Sequence, residues 1–133
     1  MKSRNVLLAL ACGTVLTAGC SGDATGQSAV QQGVDKAQDC TRLVSDLAGV
    51  NLRASAVRSD VSAGIDRLQR TVDHVQDGEV KRAGNELAQR LDRYADSLPD
   101  ESERQAALLE VRSSADKLAE ACDVPVDKLL PNR

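Results

Sequence analysis

The chain has 133 residues, 41% of them apolar and 28% charged, with a formal net charge of −3; this is one domain at most beside any targeting segment, and the balance permits a packed fold rather than global disorder. It contains no Phe and no Trp, and Tyr94 is its one aromatic residue, so base stacking and aromatic sugar platforms are excluded and the core must come from Leu, Val, Ile and Ala. The acidic balance argues against nucleic acid as a partner and against direct attraction to an anionic membrane surface.

At the N-terminus Lys2 and Arg4 supply a positive segment, residues 6–15 an apolar run, and Thr17-Ala18-Gly19 the small residues that a signal peptidase accommodates. The run is far shorter than the ~20 residues of a membrane-spanning helix. Leu16-Thr17-Ala18-Gly19-Cys20 resembles the lipobox of bacterial lipoproteins, with its Leu one position earlier than in the commonest pattern. The resemblance implies cleavage before Cys20 and a diacylglyceryl group on its sulfur, hence a lipid-anchored protein outside the cytoplasm. Ordinary secretion with Cys20 left as a thiol is the alternative. Residues 1–19 are then a signal peptide that carries Cys12 away as a small hydrophobe. Its removal takes Lys2 and Arg4 and no acidic residue, which moves the net charge from −3 to −5.

Residues 20–33, the lipidated cysteine and a Ser/Gly/Gln/Ala-rich stretch, read as a flexible tether, and residues 34–133 as a helical domain with a C-terminal tail. Apolar residues there recur at alternating spacings of three and four, the period of one helix stripe. A first helix is expected over about 35–50, with Ala37, Cys40, Val44 and Leu47 on one face and Leu43 beside them. The next stripe is Val57, Val61, Ile65, Leu68, Val72 and Val75; Ser59 or Asp60 caps it, or Asn51 caps a longer version. Asp77-Gly78 marks a turn, after which Val80, Gly84, Leu87, Leu91, Tyr94 and Leu98 form a third stripe that Pro99 ends. Asp100 caps the last helix, whose stripe is Leu108, Val111, Ala115, Leu118 and Cys122. Val124, Val126, Leu129 and Leu130 in the Pro-interrupted tail are expected to fold back over one end.

Short connections make successive helices antiparallel, so the expected fold is all-α, an up-down bundle of four helices, or of three with the first two joined in one bent segment. That topology brings the start of the first helix to the end of the fourth. Export places both cysteines in an oxidising compartment, and a Cys40–Cys122 disulfide is expected, against two buried thiols. The chain-entropy relation gives about 4.5 kcal/mol for a loop of this length.

Chemistry-bearing groups are sparse. His74 is the sole histidine, and with Asp73, Asp77 and Glu79 nearby it reads as a solvated helix end rather than a metal site. Asp92/Asp96 and Glu101/Glu103 lie beside Arg90, Arg93 and Arg104 and read as a salt-bridged face. Ser113-Ser114 lacks a neighbouring base, and Tyr94 reads as a core residue with its hydroxyl at the rim. No catalytic residue, metal ligand or cofactor is expected, and no ligand-binding residue is named. In plan, with Cys40 in the first helix and Cys122-Asp123-Val124-Pro125-Val126-Asp127 after the last, the chain resembles small helical lipoproteins and secreted proteins of actinobacteria, a resemblance that implies no activity. The expected role is a non-enzymatic, membrane-anchored module that binds a protein or cell-envelope component; a carrier of a lipid or other apolar ligand is the alternative.

Overall fold

A computed structural model describes residues 23–130; the expected signal peptide, residues 1–19, and the expected lipidation site, Cys20, lie outside the described residues. The bundle is the compact unit from residue 33 onward. The helices of the described residues are α1 (Asp23–Ala48), of which the part from residue 33 belongs to the bundle, α2 (Arg58–His74), α3 (Gly78–Ser97), α4 (Glu101–Ala121) and the single turn α5 (Val126–Leu129). The four long ones pack up-down, with α3 against both α2 and α4, and α5 against α4. Among the described residues no helix is long and apolar enough to cross a membrane.

α1 starts at Asp23, well before the expected position, so the part of the supposed flexible tether from Asp23 onward is helical. The stretch holds Ala and Gln, both good helix formers, and no proline to stop a helix. The buried face of α1 also differs from the expected stripe. Cys40, Leu43 and Leu47 are buried, but Ala37 is exposed and Asp39 is buried in its place. Asp39 Oδ2 accepts the backbone N–H of Gln76 at 3.1 Å, a donor just past the end of α2 that has no intrahelical partner. Nearer its C-terminus α1 meets α2 again, where Thr71 Oγ1 donates to Asp46 Oδ2.

The first two helices are separate. Gly49 and Val50 close the last turn of α1 through bonds to Asp46 and Leu47 carbonyls, and Asn51 Oδ1 accepts the N–H of Arg53 at 3.2 Å, a local turn rather than a helix cap. α2 begins after Val57, which is extended and offers no side-chain cap. Val57, expected on the apolar stripe, is therefore outside the helix and 56% exposed. Ser59 and Asp60 lie within the first turn, where the Asp60 charge favours the helix N-terminus.

The remaining helices follow their stripes. Asp77 caps α3 by accepting from Glu79 N and Val80 N, and Asp100 caps α4 by accepting from Glu103 N. Val61, Leu68, Val72, Val80, Leu87, Leu91, Val111 and Leu118 are all fully buried. Leu108 and Cys122, at the two ends of the α4 stripe, are only partly covered. Beyond Cys122 the chain reverses: Asp123 takes a left-handed φ of 54°, its N–H bonds to Glu120 O and that of Val124 to Ala119 O, the paired bonds of a Schellman motif. The tail then returns along α4, burying Leu129 completely and half-burying Val124 and Leu130; the Val126 side chain lies outside the described ones.

Candidate functional site

Cys40 and Cys122 are joined by a disulfide, with Cα atoms 5.7 Å apart across a sequence separation of 82. The bond ties α1 to the end of α4 and so fixes where the returning tail starts. Cys20 lies outside the described residues.

The other groups singled out in the sequence are dispersed. His74 Nδ1 lies 2.7 Å from the carbonyl of Arg70, and because a carbonyl only accepts, that nitrogen carries the proton. Asp73 accepts from Gln69 Nε2 at 3.4 Å and Asp77 caps α3; among the described residues no cluster of three or more His, Cys, Asp or Glu is placed to hold a metal ion. The charged face forms mainly between helices, with one pair along α3. Arg90 reaches Glu110 at 2.7 Å and Glu86 at 3.9 Å, Arg93 reaches Glu110 at 3.5 Å, and Lys117 reaches Glu86 at 2.7 Å. The Lys117 hydrogen bond holds the Glu86 carboxyl below its ordinary range, against the opposing effect of burial and with help from the charges of Lys117 and Arg90. Asp96 pairs with Arg58 at 2.6 Å in the open, and Arg104 donates to the Leu98 carbonyl. Ser113 is exposed while Ser114 is buried.

Tyr94 is 1% exposed, and its hydroxyl donates to the carbonyl of Leu52 at 3.0 Å. Burial raises its pKa above the ordinary phenol value, with the Arg104 charge opposing. This bond pins the connection between α1 and α2 to the end of α3.

Beside that connection lies a half-open groove of about 400 Å³, within the range of small-ligand pockets. One wall is the end of α1 and the connection, from Leu47 to Arg53; the other is Leu108 and Arg112 of α4 with Leu129 and Leu130 of the tail. Leu47, Val50 and Leu129 are already buried, so what the groove presents is the flanks of half-buried Leu52, Leu108 and Leu130, the backbone of the turn after α1, and the two arginines. Neither guanidinium has an ion pair or hydrogen bond among the described residues. Three segments distant in sequence build this site, and no local spacing marks Arg53 or Arg112 as members. The one advance signal was the apolar tail, expected to fold back on the bundle. Comparisons of the chain with protein-family models, with curated proteins and with solved structures found no match.

Proposed function

We propose that this chain is an extracytoplasmic lipoprotein, held at the membrane through a lipid on Cys20, whose bundle is a non-enzymatic module that binds a protein or cell-envelope component. The observation that carries the binding role is the half-open groove between the α1–α2 connection, α4 and the tail. Tyr94 Oη to Leu52 O and the Asn51 turn hold the wall formed by the α1–α2 connection, and the Cys40–Cys122 disulfide ties down the start of the tail that contributes to the other. A preformed groove binds without spending free energy on ordering its own loops. The disulfide supports the address, because such bonds persist in oxidising compartments, and Leu16-Thr17-Ala18-Gly19-Cys20 supplies the anchor.

Groove volume also favours a second reading, a carrier of an apolar ligand. That reading is the weaker one, because the bundle interior around Leu43, Leu68, Leu87 and Leu118 is closed to solvent and the open groove is floored by backbone and flanked by charge. The test is crosslinking with mass spectrometry in the native envelope, using amine-reactive reagents at Lys36, Lys81, Lys117 and Lys128. One recurrent envelope protein crosslinked to the bundle is expected; crosslinks no denser to any protein than random contact would overturn the binding role.

A further inference from the structure

We propose that the groove receives a short segment of a partner protein in which aliphatic side chains alternate with or adjoin carboxylates, the carboxylates being taken by Arg53 and Arg112; this rests on the reading of the chain as a protein-binding module. The argument is charge complementarity against the grain of the molecule. The segment from Cys20 onward has a net charge of −5, since only Lys2 and Arg4 precede it, yet the ionisable residues lining the groove are two arginines and no acid. Elsewhere in the bundle Arg58, Arg90 and Arg93 are matched to carboxylates of this chain and Arg70 and Arg104 to carbonyls, while Arg42, Arg67 and Arg82 stand unmatched among the described residues on the open surface and line no groove. Arg53 and Arg112 have no such match among the described residues. The guanidinium fork binds a carboxylate through two parallel hydrogen bonds, so a pair flanking one groove selects for acidic groups by geometry as well as charge.

Leu52, Leu108 and Leu130 supply partly covered aliphatic surface between the arginines, suited to one or two aliphatic side chains. A long acyl chain fits less well. Its hydrocarbon needs a continuous apolar slot, whereas Leu47, Val50 and Leu129 of the lining are buried and the three half-exposed leucines share it with two arginines, Asn51 and the backbone of the turn. The turn from Ala48 to Asn51 instead offers backbone, and the N–H groups of Asn51 and Leu52 make no hydrogen bond among the described residues, which a peptide carbonyl satisfies and an acyl chain does not.

The test uses the full chain held in nanodiscs of zwitterionic lipid and a fluorescein-labelled acetyl-Glu-Leu-Leu-Glu amide, with binding read by anisotropy. The peptide is expected to bind, and both its Gln-Leu-Leu-Gln counterpart and the Arg53→Gln/Arg112→Gln protein are expected to lose at least ten-fold in affinity. The peptide change keeps the test decisive even if the protein variant folds poorly. Three results each overturn the proposal: no binding at millimolar peptide, binding that neither change weakens, or Arg-dependent binding of octanoate without binding of the peptide. The crosslinked partner of the whole bundle is unaffected by any of these, so failure of the groove assignment is distinct from failure of the binding role.

Discussion

Replacing Gly84 by alanine tests the packing of α3 on α2. A Cβ at Gly84 would meet Val72 Cγ2 at 2.8 Å and Cγ1 at 3.5 Å. Val72 is fully buried, and its β-branched side chain has one strongly preferred rotamer in a helix, so the methyl has no free direction in which to turn. Alanine gains about 1 kcal/mol of helix propensity over glycine, whereas overpacking a tight core costs about 1–3 kcal/mol. Gly84→Ala is therefore expected to destabilise the bundle by about 1 kcal/mol net, read as a lower urea midpoint by far-ultraviolet circular dichroism. Gly78, in the first turn of the same helix, has nothing within 4 Å of its would-be Cβ, and Gly78→Ala is expected to stabilise. The clash is with Cγ2 alone, since Val72 Cγ1 and Cβ lie at ordinary contact distances of 3.5 and 3.8 Å. In a Val72→Ala background Gly84→Ala thus changes sign and becomes stabilising. If Gly84→Ala raises the midpoint as Gly78→Ala does, the close approach of α2 and α3 is refuted.

Cys40→Ser is expected to cost up to about 4.5 kcal/mol by the chain-entropy relation, and reductant should lower the midpoint of the native chain but not that of the variant; equal midpoints with and without reductant contradict this. Tyr94→Phe removes the bond to Leu52 and is expected to cost about 1 kcal/mol. Because burial raises the Tyr94 pKa in the fold, the unfolded chain loses this proton first, so the stability it contributes is intact below the unfolded phenol pKa and falls as pH rises through the window up to the folded value. The midpoint of Tyr94→Phe should fall less steeply over that window. At Asp123, with φ at 54°, Asp123→Gly should leave stability unchanged or slightly higher, while Asp123→Val should cost about 1–2 kcal/mol; equal midpoints for these two variants would contradict the left-handed turn.

The stripes of α2, α3 and α4 were legible because each buries one face along its length, and the turns at Asp77-Gly78 and Leu98-Pro99-Asp100 carry their own punctuation. The disulfide followed from the order of the helices. What local pattern did not reveal depends on partners distant in sequence. Asp39 is inside because the N–H of Gln76 requires an acceptor there, and Ala37, apolar but small, loses little by facing water. Val57 looks like one more residue of its stripe, yet the helix begins after it. Arg90 and Arg93 sit beside Asp92 and Asp96 in sequence but pair with Glu110 on the next helix, while Asp96, one turn on from Arg93, is taken by Arg58 of α2. The groove was hidden for the same reason: Arg53, Arg112 and Leu130 converge only when the tail folds back.

The proposed lipid anchor on Cys20 is the premise of the envelope role, so the N-terminal peptide of the protein recovered from the membrane fraction is the most direct test. Mass spectrometry is expected to find a peptide beginning at Cys20 with a diacylglyceryl group on its sulfur. A peptide that retains Met1 to Gly19, or begins elsewhere with Cys20 as a free thiol, would contradict the account.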